Sequence, residues 1–353
     1  MRKLLLSSAA LALISGGAFA QQVTTSSPFT VTLGGSVRAD FAFFDEDISN
    51  VNREQRTDTR LFLKAEAQSD NGLTYGFSSR LRTASSGSAN SMIMDYKYVY
   101  AKGSWGTVNL GDYQGASTQL EVVAPVVGIG QVDYAAFTNA GAAGLFWATE
   151  DTPDTKITYL TPNFAGFQAG ISYTPEKDDS GRSIRKTGTR YHDVTEAAAK
   201  YSNTFGAVGV TVGGGYEIGA ESRLPADAAL GDYQIWYLGA KVAYAGFTFG
   251  GNYYDNGESY LSPGDDQDGW AVGLTYATGP FGVGASYARA NTKTGGVKFE
   301  DQIWGVGGAY RLAPGLSLQS DLNYVDAESD TSSAAGLQDN KAWQLVLRTR
   351  VDF

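Results

Sequence analysis

A period of two governs this chain almost from end to end. The C-terminal residues show it plainly: Trp343, Leu345, Leu347, Thr349, Val351 and Phe353 share one face of an extended segment, and Gln344, Arg348, Arg350 and Asp352 share the other. Residues 29–44 set Phe29, Val31, Leu33, Val37, Phe41 and Phe43 against Arg38 and Asp40. Residues 56–67 set Leu61, Leu63, Ala65 and Ala67 against Arg56, Arg60, Lys64 and Glu66, with Phe62 out of phase. Residues 73–82 set Leu73, Tyr75, Phe77 and Leu81 against Ser78, Arg80 and Arg82. Alternation of this kind specifies β-strands with one apolar and one polar face. It does not say which face is inside, because a soluble sheet buries the apolar side and a membrane barrel turns it out to lipid.

The connections make that choice. Tight turns are expected at Asn71-Gly72, Ser104–Gly106, Phe164–Gly166, Phe205-Gly206, Ala245-Gly246, Gly279-Pro280 and Pro314-Gly315, where Gly and Asn supply the backbone geometry of short hairpins. Long hydrophilic connections are expected at 45–55, 84–94, 113–153, 178–194, 219–232, 257–268, 291–299 and 328–340. Seven short turns alternating with eight long loops imply sixteen strands with the short turns on one rim and the long loops on the other. That is the plan of a transmembrane barrel. The fold class read from the sequence is therefore all-β, a 16-stranded antiparallel transmembrane β-barrel.

Other features fit an exported barrel. Arg2 and Lys3 precede an apolar run from Leu4 to Ile14 and the small-residue stretch Ala18-Phe19-Ala20, the order of a secretory signal cleaved after Ala20. Residues 1–20 are thus read as the signal and 21–353 as one barrel domain. No other stretch is apolar for the 18 or so residues of a spanning helix. The absence of Cys excludes disulfide, thiol and Cys–zinc chemistry, and a formal net charge of −10 argues against nucleic acid as a partner. With 44 Gly, 21 Tyr, 17 Phe and 6 Trp, the chain is supplied for hairpin turns and interfacial aromatic girdles.

Two stretches resemble a known family: Gly103–Ser117, read GSWGTVNLGDYQGAS, and Leu160–Pro175, read LTPNFAGFQAGISYTP. Both are similar to Gram-negative trimeric porins, the first in the Rhodobacter-type version with Gly-Asp and Gly-Ala-Ser. The resemblance implies an outer-membrane homotrimer among lipid and lipopolysaccharide, packed through strands one to five and sixteen, with 84–94 latching onto a neighbour. It also implies a loop folded into the lumen. One departure matters, since Ala124-Pro125-Val126-Val127-Gly128 stands where many relatives carry an acidic Pro-Glu-Phe-Gly-Gly motif.

A sixteen-stranded barrel has an aqueous lumen too wide to filter unaided. Residues 113–153 form the longest connection and are rich in Val, Ala, Gly and Phe, so they are read as the constriction loop. Facing it, alternation directs Arg38, Arg60 and Arg80 into the lumen at mid-height, with Arg82 and Lys97 as additions. Arginines keep their charge when crowded, so they form a fixed basic wall. Candidate loop carboxylates opposite it are Asp112, Glu121, Asp133, Glu150 and Asp151. The function expected is a general diffusion channel for ions and small hydrophilic solutes, without catalysis. The alternatives are a substrate-selective sugar channel, which favours aromatic rings along the lumen, and a barrel enzyme or adhesin.

The remaining candidates weigh less. His192, the single histidine, reads as a surface residue of a polar loop, without partners at ligand spacing. Acidic loop groups at Asp178-Asp179 and Asp265-Asp266 with Asp268 offer calcium oxygen ligands, although solvated loop charge is the plainer account. No other cofactor is implied, and Gly213-Gly214-Gly215 lacks the following helix of a phosphate loop. Tyr96, Tyr98 and Tyr100 are expected on the outward face. Ion preference stays open, because the net acidic charge favours cations while the arginine wall favours anions locally.

Overall fold

A computed structural model describes residues 21–23, 28–83, 91–133, 137, 153–177, 191–221, 230–330 and 339–353. The signal segment 1–20, most of the 84–94 latch, Glu150, Asp151 and Asp178-Asp179 lie outside the described residues. A short strand β1 (Gln21–Val23) precedes β2 (Thr30–Glu46), β3 (Arg53–Gln68), β4 (Thr74–Thr83), β5 (Met92–Gly103) and β6 (Gly106–Asp112). A helix α1 (Ala116–Leu120) and a 3-10 turn (Gln131–Asp133) follow. Then come β7 (Thr155–Leu160), β8 (Phe167–Glu176), β9 (Tyr191–Phe205), β10 (Val208–Glu221), β11 (Tyr233–Tyr244) and β12 (Phe247–Gly257). The series ends with β13 (Asp266–Thr278), β14 (Phe281–Thr294), β15 (Val297–Ala313), β16 (Leu316–Ser329) and β17 (Asn340–Asp352).

From β2 to β17 each strand pairs antiparallel with the next, and β17 closes on β2 in a register running from Ala342↔Glu46 to Asp352↔Ser36. The result is the closed 16-stranded barrel, which has no free sheet edge for another chain to pair with. Phe353 completes the seam by exchanging backbone hydrogen bonds with Gly35 at 2.9 and 3.0 Å. β1 continues the same lane, pairing Gln21–Val23 with Val31–Leu33.

All seven expected tight turns are present, with positive φ at Gly72, Gly106, Gly166, Gly206, Gly246, Gly279 and Gly315. One long loop is not. β14 and β15 remain paired out to Thr294↔Val297, so the connection placed at 291–299 shrinks to Gly295-Gly296, with φ of 59° and 82°. Two residues at positive φ form the turn whose twist matches that of the flanking strands. The polar residues around them belong to strands that rise past the membrane.

Outside, the alternation holds. Leu33, Phe41, Phe43, Leu345, Leu347 and Val351 are all exposed on the outer face. Leu238 at 61% and Phe249 at 58% exposure lie on one large apolar surface, which suits hydrocarbon rather than water. An aromatic row crosses five strands at one height: Trp270–Tyr287 5.0 Å, Tyr287–Trp304 5.1 Å, Trp304–Tyr324 5.6 Å and Tyr324–Trp343 4.7 Å between ring centroids. Amphipathic rings settle where hydrocarbon meets headgroups, so the row marks one membrane interface and places Trp343 in it.

Inside, the rule reverses over part of the wall. On β13 to β17 the inward residues Ala271, Ala288, Ala290, Ile303, Val325 and Ala342 are apolar and buried, packed against Val123, Ala124 and Val132 of the long loop. An inward face is polar where it meets water and apolar where protein covers it.

Candidate functional site

The loop after β6 turns into the barrel and follows the inner wall from β7 to β16. Two kinds of residue hold it there. Glycines form its bed: a Cβ at Gly239 would collide with the Val122 carbonyl, one at Gly273 with the Pro125 carbonyl, and one at Gly305 would lie 2.8 Å from the Gln131 Cβ. Without side chains the wall lets the loop backbone approach closely. Polar wall residues then satisfy backbone groups that the strands cannot reach. Ala116 N–H donates to Ser172 Oγ at 2.6 Å, Ser117 N–H to Glu196 at 3.1 Å, and Ala124 N–H to Asn252 Oδ1 at 2.9 Å. Further along, Tyr237 O–H donates to the Ser117 carbonyl at 2.9 Å and Asn323 Nδ2 to the Gln131 carbonyl at 2.9 Å. The Asp321 carboxylate accepts from Ile129 N–H at 3.4 Å and from Gln131 N–H. Buried backbone groups need such partners, so these side chains fix the loop's path.

The wall of β17 and β2 to β4 carries the arginines. Register brings Arg350 beside Arg38, Ser36 beside Arg60, and Arg60 beside Arg82, so inward arginines run across β17, β2, β3 and β4. Arg38 pairs with Asp58. Asp95 holds Arg80 by two bonds of 2.9 and 2.5 Å and also pairs with Arg82. Arg60 sits among them with no ion pair among the described residues and with a buried Nε that lacks a hydrogen-bond partner. Above this row Arg348 and Asp40 form a buried bidentate pair at 2.6 and 2.7 Å.

The sequence-derived set thus divides. Arg38, Arg60, Arg80 and Arg82 come together. Lys97 does not join them: it alternates with Tyr96 and Tyr98, pairs with Asp112, and takes the side of Val99 and Leu110. The cause is a bulge between Arg80 and Leu81 that leaves Asp95 as the extra residue of β5 and resets its phase. Tyr96, Tyr98 and Tyr100 accordingly face the lumen, a correction to the outward placement. Arg80 lies 3.5 Å from the Tyr96 ring centroid, and Tyr98 stacks on Tyr113 at 4.0 Å. Phe62 lies opposite Arg80 in register and is 40% exposed on the lumen side.

Of the loop acids, Asp112 is tied to Lys97 and Thr155 at the end of β6, Glu121 follows α1, and Asp133 is exposed in the 3-10 turn. Asp58, Asp95 and Arg350 were missed as members of the wall, although Asp58 shares the parity of Arg60 and Arg350 that of Arg348. His192 is also relocated. It is buried in β9 opposite Glu176, with Nδ1 2.7 Å from Asp193, and not in a surface loop. No cluster of three or more His, Asp or Glu able to hold a metal occurs among the described residues. Asp265 is occupied by Thr294 Oγ1 at 2.9 Å and Gly295 N–H at 3.0 Å.

Comparison with known proteins agrees with this architecture. The family model for Gram-negative porins matches residues 7–330. A chitoporin of Vibrio furnissii is 29% identical over 273 residues, 68% of this chain and 69% of that protein. An uncharacterized protein of Rickettsia bellii is 24% identical over 422 residues, 93% and 94% of the two chains. Among solved structures, the trimer form of OmpT from Vibrio cholerae superposes with a TM-score of 0.65 at 16% identity, covering 93% of this chain and 100% of that one. A mutant of the Rh. blastica porin does so with a TM-score of 0.64 at 16% identity, covering 92% and 100%. A closed barrel with lipid-facing strands, an inward loop and a lumenal arginine wall, matched over most of its length by that family, makes this chain a member of the Gram-negative porins, channel proteins of the outer membrane.

Proposed function

We propose that this porin is a general diffusion channel for ions and small hydrophilic solutes, filtering by size and by the charge of its walls, and that it works without catalysis as a homotrimer. The observation that carries this reading is the division of the lumen: the loop is pinned along the β7–β16 wall and reaches Ala42, Phe44 and Val346 of β2 and β17 through Ile129 and Phe137, and the arginines stand beside it on β17 and β2 to β4. A solute passing between them meets fixed cations on one side and loop backbone on the other, an arrangement that selects by width and electrostatics. Outer-face Gln55, Thr57 and Thr59 of β3 are polar where lipid would demand apolar groups, which supports a protein neighbour over that face.

Planar-bilayer recording tests the reading. Ohmic steps closing in groups of three support a trimeric channel, and reversal potentials under a salt gradient report ion preference. Replacing Arg60 and Arg80 together by Ser raises the flux of bulky solutes; unchanged flux would place the narrow zone elsewhere. A second reading, a solute-selective channel, is favoured by the similarity to a chitoporin and by the tyrosines that face the lumen.

A further inference from the structure

The lumenal face of β3 to β5 holds aromatic rings that neither the lipid boundary nor the packing of the barrel requires. Phe62, Arg80 and Tyr96 form one cross-strand row, with Arg60 in the row above through its register with Arg82. Tyr98 lies two residues further along β5, and Tyr113 bridges the two levels by an edge contact with Tyr96 at 5.1 Å and by stacking on Tyr98. Between Tyr96 and Tyr98 the ring track runs about 7 Å along the strand at about 3.3 Å per residue.

An exposed Phe beside an arginine, in a lumen otherwise lined with polar groups, has the composition of a ligand surface: apolar ring faces with a few placed charges. Sugar rings match it, because their C–H faces stack on aromatics while their hydroxyls stay with water and with Asp95 or Arg80. Charge decides the class. Arg38, Arg80 and Arg82 are each ion-paired with a carboxylate, whereas Arg60, near Asp58, makes no ion pair among the described residues, and a guanidinium fork receives a carboxylate in two parallel bonds.

We propose that Phe62, Tyr96, Tyr98 and Tyr113 form a binding track for short linear oligosaccharides bearing carboxylates, with Arg60 as the group that receives the acid. The inference rests on the channel reading above and adds a solute class to it. Recording the full mature chain in planar bilayers with trigalacturonate, and with maltotriose as the neutral probe, tests it. Trigalacturonate interrupts the open current, with longer residence than maltotriose. Phe62→Ala, at an exposed position, shortens both residence times about tenfold. Arg60→Gln shortens that of trigalacturonate alone and abolishes the preference. Ohmic current without interruptions, or interruptions that both variants leave unchanged, overturns the track while the channel reading stands. A silent bilayer overturns the channel reading and the track with it.

Discussion

Asp321 offers the sharpest test of how the loop is held. Its carboxylate on β16 accepts N–H groups from Ile129, at 3.4 Å, and from Gln131, both buried against the wall. A hydrogen bond to a charged group contributes about 1.5–3 kcal/mol, and the longer of these two falls at or below the low end, so Asp321→Ala weakens this attachment by about 2–4 kcal/mol. At about 1.4 kcal/mol per tenfold, local detachment becomes about 30 to 700 times more frequent. Amide hydrogen exchange reads this directly: the Ile129 and Gln131 amides exchange faster by that factor, while strand amides such as Val346 do not. Single-channel traces gain flicker over the same range. Asp321→Asn keeps one acceptor and falls between. Exchange unchanged at both amides in the Ala variant would mean that the glycine bed and the Asn323 bond suffice, and the anchoring argument fails.

Three other perturbations have definite outcomes. Gly239→Val drives a side chain into the Val122 carbonyl and costs about 1–3 kcal/mol by overpacking, whereas Ala240→Val on the outer face changes stability by less than about 0.5 kcal/mol; thermal unfolding in detergent compares them. Asp40→Leu removes the bidentate partner of buried Arg348 and costs about 3–5 kcal/mol, and adding Arg348→Met recovers part of it; urea unfolding of the single and double variants reads the difference. Leu345→Arg puts a cation on the lipid face and costs about 2–4 kcal/mol near the bilayer midplane, with loss of folded yield on insertion into vesicles; an undiminished yield would mean that this face does not meet lipid.

How far the sequence carried the structure depended on whether a strand had two contrasting faces. β2, β3 and β17 did, and their parity placed Arg38, Arg60 and Phe41 correctly. β5 did not. Met92–Gly103 alternates Lys and Val with Tyr, so either phase is plausible, and the phase is set by a bulge opposite Arg80 that only the partner strand reveals. Assigning the tyrosines to lipid followed the general preference of aromatics for the membrane boundary, and it carried Lys97 into the wall as the necessary converse. The 291–299 connection failed for a related reason: strands that extend beyond the bilayer are polar on both faces and read as loop, although Gly295-Gly296 announced the turn. Asp321 and the glycine bed were silent because their role lies in contact with a segment some 190 residues away in sequence.

The two halves of the inner wall explain each other. A loop carries backbone donors and acceptors that must be satisfied wherever it is buried, and it approaches only a surface that has little side chain in the way. The β10–β16 interior provides that surface in Gly213, Gly239, Gly273, Gly305 and Gly307, with Asn252, Asp321 and Asn323 placed between to take the bonds. The arginine-bearing part of the β17 and β2–β4 interior differs from this bed and from the apolar patch of Ala42, Phe44 and Val346 on which Ile129 and Phe137 of the loop pack. Seating a loop over Arg60, which has no ion pair among the described residues, would cost several kcal/mol in desolvation of its charge. The loop is therefore seated where the wall offers room and partners for its backbone groups.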